Sequence, residues 1–146
     1  MHDNFIVLGF DVGAKKTGVA IGQSLTSSAR ALPQIACHTA VPVDLKLVKT
    51  LIATWRPNAL VVGMPLRPDG KAQRATQQAL DFIDYLKCQC DLPIYTIDEQ
   101  LTTKSARADL FEAGGYRYLQ KSDVDGYAAK LIVESWLAEQ RLTLPS

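Results

Sequence analysis

Apolar positions along this chain change their period several times, and each change marks an element. Phe5 to Val12 and Thr17 to Gln23 are runs rich in Val and Ile, and the "GAKK" between them supplies a glycine where a tight connection needs one. That arrangement predicts a β-hairpin. Arg30 to Ala36, less clearly patterned, predicts a third strand. From Val43 the period becomes helical: Leu45, Val48, Ile52 and Trp55 share one side, Asp44 takes a first-turn position that favours negative charge, and Pro57 closes the segment. "ALVVGMP", Ala59 to Pro65, is continuously apolar, as strands buried on both faces are, and the turn "RPDG" follows it.

Ala75, Ala79, Phe82, Ile83 and Leu86 line one face of a second helix, and Pro93 to Glu99 forms another short strand. A third helix is predicted over Thr102 to Ala113, ended by Gly114-Gly115. A fourth spans Asp123 to Glu139, with Val124, Ala128, Leu131, Ile132 and Ser135 on one stripe. An antiparallel meander that passes into strand-helix-strand units predicts an α/β fold, a mixed sheet with helices packed on its faces. With no linker or repeat, residues 1–146 are expected to form a single domain.

Composition narrows the class. Hydrophobic residues make up 47% and charged residues 21%, which excludes the signature of a disordered chain. Sixteen basic and fifteen acidic residues leave a formal charge of +1, so no overall field draws the molecule to a polyanion, and any such site must be a local patch. Cys37, Cys88 and Cys90 cannot all pair with one another, and neither Cys88-Gln-Cys90 nor the isolated His2 and His38 has zinc-ligand spacing. They are expected to be reduced, mostly buried thiols. "MHDNFIVLGF" lacks a basic segment leading into a long apolar run, so the reading is a cytoplasmic protein without a membrane partner.

Most of the acids read as solvated surface. Asp11, Glu99 and Asp125 do not. Asp11 is a lone carboxylate near the end of the first apolar run, flanked by Gly9 and Gly13. Asp98-Glu99 ends the last strand, and carboxyl ends of strands are where open α/β sheets place ligands. Asp125 shares a helical face with Ala128, Ala129 and Ile132. Each also has a local explanation: Ser122 to Asp125 fits a capping box, Glu99 suits the positive end of the following helix, and Asp11 can bond within its own turn.

Clustered at one sheet end, the three carboxylates would repel unless cations bound between them. A site of oxygen donors alone suits Mg²⁺ or Mn²⁺, and a pair of such ions can activate water and stabilise the leaving oxygen in a displacement at phosphorus. The chemistry expected is phosphodiester hydrolysis.

Four stretches in this order carry a resemblance: "GFDVGAKKTGVAIGQ" (Gly9 to Gln23), "VVGMPLRPDG" (Val61 to Gly70), "DEQLTTKSA" (Asp98 to Ala106) and "GGYR" with "KSDVDGYAAKLIVESWL" (Gly114 to Leu137). Over nearly its whole length the chain resembles the YqgF/RuvX family, associated with Holliday-junction resolution and with pre-16S rRNA processing. The resemblance implies an RNase H-like, five-stranded mixed sheet flanked by helices. It also implies Asp11, Glu99 and Asp125 as metal-binding catalytic acids for one or two Mg²⁺ or Mn²⁺ ions. The family usually has arginine after the Asp-Glu pair, where this chain has Gln100.

The expected partner is nucleic acid. Candidate substrate contacts are Lys15 and Lys16 in the first turn, Arg67 and Lys71 after the apolar strand, Thr102, Thr103, Lys104 and Arg107 at the third helix, and Arg117 with Lys121 in the late loop. Tyr116 and Tyr118 are candidate stacking residues. The function expected is an endonuclease processing the 5′ end of 16S rRNA precursors. The alternatives are a resolvase of branched DNA, a noncatalytic nucleic-acid-binding or transcription-associated factor, and, through "DVGAKKTG", an actin-like ATPase fragment. Either a monomer or a homodimer is compatible with this reading.

Overall fold

The structure, a computed structural model, describes residues 4–65, 73–98 and 121–143, with the side chains of 73, 121–125 and 141–143 left aside. In chain order the elements are β1 (Ile6–Asp11), β2 (Lys16–Gln23), β3 (Ser28–His38), β4 (Val41–Pro42), α1 (Leu47–Trp55), β5 (Ala59–Met64), α2 (Gln73–Gln89), β6 (Ile94–Asp98) and α3 (Lys121–Thr143). The strands form one mixed sheet in the order β4-β3-β2-β1-β5-β6. The meander β1-β2-β3-β4 is antiparallel, whereas β5 and β6 run parallel to β1. The predicted architecture is therefore present. The two-residue β4, paired only through Cys37↔Pro42 and His38↔Val41, makes the described strands six where five were expected.

β1 is central, and its pleat sends alternate residues into two separate cores. Leu8 and Phe10 join Val19, Leu60 and Val62 beneath Val48 of α1 and Ala79, Phe82 and Leu86 of α2. The Phe10 and Phe82 rings meet at 5.2 Å, tilted by 52°. On the opposite face Val7, Ala20, Val61 and Ile97 pack with Ala129, Ile132, Val133 and Trp136 of α3. Each fully buried aliphatic or aromatic side chain contributes about 1.5–3 kcal/mol relative to exposure, so both layers matter to stability.

Small residues decide how α3 sits. A Cβ at Gly9 would lie 2.2 Å from Val133 Cγ2, and one at Gly22 would lie 2.3 Å from Val133 Cγ1. Val133 therefore seats its two methyls in notches on neighbouring strands. Further along, Trp136 stacks on Phe5 at 5.9 Å and meets Tyr95 at 5.1 Å, which closes the opposite end of this layer.

Three local features differ from expectation. α1 begins at Leu47, not Val43: the Asp44 carboxylate accepts the Lys46 N–H at 3.0 Å and the Asp44 carbonyl accepts the Leu47 N–H at 3.2 Å. Asp44 thus forms a turn ahead of the helix, and Val43 and Leu45 remain exposed. β3 is longer than Arg30 to Ala36 and is bulged, since Val19 pairs with Leu32 but Thr17 pairs with Ile35, so Pro33 and Gln34 stand opposite Gly18 alone. Cys37 is buried, but Cys88 is exposed and Cys90 half-buried, so the thiols are less sequestered than expected. The predicted helix over Thr102 to Ala113 lies outside the described residues. Among the described residues, no helix is long and apolar enough to cross a membrane.

Two outcomes follow from this packing. Gly9→Ala should cost about 1–3 kcal/mol in chemical denaturation, as overpacking does. It should couple to Val133→Ala by about 0.5–3 kcal/mol in a double-mutant cycle, because Val133→Ala vacates the notch. Burial pushes the Cys37 thiol up from its ordinary range. Above that range the unfolded chain releases this proton while the folded chain keeps it, so stability should fall as pH rises through the alkaline thiol range, and Cys37→Ala should flatten that slope in urea midpoints.

Candidate active site

Asp11 is the last residue of β1, half-buried, and pairs across the hairpin with Gly18. By the pleat it shares its face with Val7 and Gly9, the face that α3 covers. The turn after it is tightly constructed. A Cβ at Gly13 would lie 2.5 Å from the Lys16 carbonyl oxygen, so only glycine allows the chain to fold back so closely.

Each of the next residues is tied to its surroundings. Gly13 N–H donates a long bond of 3.5 Å to Thr17 Oγ1, Ala40 N–H donates to the Ala14 carbonyl at 3.0 Å, and Cys37 N–H donates to the Lys15 carbonyl at 2.7 Å. Thr39 and Ala40 adopt positive φ values of 48° and 70°, forming the reversal into β4 that presents the Ala40 donor. Thr17 is fully buried, its hydroxyl 3.4 Å from Cys37 Sγ. Lys15 is exposed on this anchored turn, and Lys16 is half-buried at the start of β2.

β5 and β6 bring their carboxyl ends to the same edge. The register aligns Phe10 with Val62, Gly63 with Ile97 and Met64 with Asp98. Continued by one residue, it sets Asp11 level with Gly63 and Ile97. The end of β6 is then two strand spacings, about 10 Å, from the end of β1. Ile97 packs toward α3, so the alternation turns Asp98 to the other face from Asp11. Glu99 lies outside the described residues.

α3 arrives from the opposite direction. Gly126 lies against Ala31 of β3, Ala129 and Val133 lie over Gly9, and Trp136 reaches Phe5 and Tyr95, so the helix crosses the sheet obliquely from β3 toward β6 while descending β1 from its carboxyl end toward its start. Asp125 belongs to the first turns of α3, one turn before Ala129. Its side chain is outside the described set, as is that of Lys121, the first residue of the helix. Arg67, Lys71, Thr102, Thr103, Lys104, Arg107 and Arg117, with Tyr116 and Tyr118, also lie outside the described residues. The described backbone therefore ends β1 and β6 at the same edge of the sheet, two strands apart, with Lys15 and Lys16 on the turn that follows Asp11. Among the described residues, no three His, Cys, Asp or Glu side chains form a metal-binding group.

The donor chemistry fits a hard divalent ion. Asp11 supplies carboxylate oxygen at a strand end, and neither a histidine nor a thiol belongs to the proposed set. The Pro33–Gln34 bulge was not read from the sequence, although a proline inside a strand is a signal for one.

Comparison with known proteins gives the family and the fold. A relative from Aeromonas hydrophila subsp. hydrophila, named "Putative pre-16S rRNA nuclease", is 45% identical over 134 residues, covering 92% of this chain and 95% of the relative. A protein of the same name from Yersinia pseudotuberculosis serotype IB is 44% identical over 137 residues, covering 94% and 97%. Among solved structures, T. thermophilus RuvC in complex with a Holliday junction substrate superimposes with a TM-score of 0.59 at 17% identity, over 95% of this chain and 97% of that one. The yeast mitochondrial Holliday junction resolvase follows with a TM-score of 0.55 at 13% identity, over 92% and 78%. Those two likenesses establish the fold, that of the RNase H-like resolvases. The model of the RuvX family, described as Holliday junction resolvase, matches residues 5–139, and the chain belongs to that family.

Proposed function

We propose that this protein is a divalent-metal-dependent endonuclease that hydrolyses phosphodiester bonds in precursors of 16S rRNA, with Asp11, Glu99 and Asp125 as its metal-holding acids. The observation that carries this reading is the meeting of three chain segments at one sheet end: the end of β1 with Asp11, the end of β6, and the beginning of α3. Glu99 directly follows Asp98, the last residue of β6, in the sequence. Asp125 precedes Ala129 by one helical turn, toward the Asp11 end. The relatives' shared name supports the RNA substrate.

Mg²⁺ or Mn²⁺ held there would supply Lewis-acid activation of water and neutralise charge developing on the phosphate. The chain's own contribution is placement. Asp11 is fixed at the end of a strand with neighbours on both sides, so its carboxylate pays little ordering entropy when it engages a cation. Lys15 and Lys16 ride on a turn held by backbone bonds, and in this reading they contact phosphate oxygens of the substrate.

A second reading, cleavage of four-way DNA junctions, is favoured by the description of the family model. The two differ in substrate, not in chemistry. Incubation with Mn²⁺ should cut a pre-16S rRNA fragment and leave a four-way junction intact, and EDTA should stop cleavage. Asp11→Asn keeps the shape of the side chain and should lower the cleavage rate by at least about 100-fold, the upper range for loss of an outer-shell partner of a metal site. Its circular dichroism and melting temperature should match those of the parent. Undiminished cutting by that variant would remove Asp11 from the site, and preferential junction cutting would favour the second reading.

A further inference from the structure

Beside the beginning of α3 lies a cleft of about 390 Å³ that the reading above does not use. Its walls are Ala31, Pro33 and Gln34 of β3 and Gly126, Tyr127 and Lys130 of α3. The bulge opens it: two residues of β3, Pro33 and Gln34, face one residue of β2, Gly18, which swings β3 out of regular register. On the helix side, Gly126 lies against Ala31, where a Cβ would make an ordinary van der Waals contact at 3.4 Å. The volume falls in the range of small-ligand sites, about 300–1,000 Å³.

Its place in the sheet ties it to the candidate active site. Asp11 pairs with Gly18, and Gly18 is the residue opposite the bulge. The row Asp11, Gly18, Pro33–Gln34 crosses three adjacent strands, so the cleft lies two strand spacings, about 10 Å, from Asp11. Along the helix, Gly126 follows Asp125 directly. Tyr127 and Lys130 project on the β3 side of α3. The cleft therefore borders the turn of α3 that directly follows Asp125 in the chain.

We propose that this cleft is a subsite for an unpaired nucleotide next to the scissile phosphate, with the base stacked on Tyr127 and the phosphate held by Lys130. Lys130 Nζ lies 5.8 Å from the centre of the Tyr127 ring, so one cation and one aromatic surface share the space. When a base stacks on the half-buried Tyr127, the flexible Lys130 stem swings its ammonium off the ring face to the adjoining phosphate, so the pair matches the two parts of a nucleotide. A base inside a duplex cannot enter such a cleft, because both its faces are already stacked; the subsite thus selects single-stranded segments. The placement next to the scissile bond rests on the proposed nuclease site, but the cleft's preference for unpaired nucleotides can be measured without catalysis.

The test is fluorescence anisotropy with the full chain in EDTA, using a short unpaired oligoribonucleotide and a blunt duplex of the same sequence. Tyr127→Leu should weaken binding of the unpaired strand roughly tenfold and change duplex binding by less than about twofold, while Tyr127→Trp restores the unpaired affinity. Lys130→Gln leaves the ring in place and should reduce the slope of log K against log salt for the single strand by about 0.7. Circular dichroism confirms that each variant folds. Equal losses on both ligands, or no loss on either together with an unchanged salt slope, would overturn the subsite. Cleavage by Asp11→Asn, assayed separately, reports on the catalytic reading and leaves this binding result standing on its own.

Discussion

The close seating of α3 on β1 and β2 is the constraint on which the arrangement depends. Val133 occupies space that Cβ atoms at Gly9 and Gly22 would need, so the helix lies nearer the sheet than larger residues would permit. Helix position along β1 follows from this contact together with the Trp136–Phe5 stack at the other end. Because α3 runs against the direction of β1, fixing Val133 over Gly9 also fixes which end of the helix comes to Asp11. One steric fit thus transmits to the site the alignment of a segment more than a hundred residues later in the chain.

The two faces of the sheet divide the work. Beneath α1 and α2 the contacts are made by large side chains such as Phe10, Phe82, Leu60 and Leu86, a thick layer that supplies most of the buried apolar bulk. Beneath α3 the sheet presents Gly9, Ala20 and Gly22 among Val7, Val61 and Ile97, and the small residues allow proximity. The first hairpin stands at the boundary. Its turn is held by backbone donors from the end of β3, so the lysines it carries take their position from two strands instead of from their own flexible connection.

Much of this was legible in the residues. The apolar runs of β1 and β2 signalled a hairpin, the continuous run of β5 signalled a strand covered on both sides, and the helical spacing of Ala79, Phe82, Ile83 and Leu86 identified the buried stripe of α2. Asp11 stood out because a lone carboxylate at the end of a buried strand has few purely structural reasons to be there. The start of α1 was misjudged because a short polar side chain competed locally: Asp44 satisfied the Lys46 amide in a turn, which the periodicity of apolar residues does not register. The bulge escaped because it depends on how two strands align, although Pro33 hinted at it. No pattern in the sequence singles out Tyr127 and Lys130, and only the neighbouring bulge makes them walls of a cleft. Convergence of Asp11 with the end of β6 and the start of α3 is likewise a property of strand order, which no local stretch encodes.

The bulged proline has an effect beyond the cleft. Along its outer side β3 is paired with β4 only near Cys37 and His38, and Val43 adds one bond to Ala36. Upstream of these the ladder is kinked, lacks an amide hydrogen at Pro33, and carries the charged Arg30. An incoming strand would find mismatched spacing and a missing donor there, so this margin is guarded against edge-to-edge aggregation while the chain is at high concentration or only partly folded.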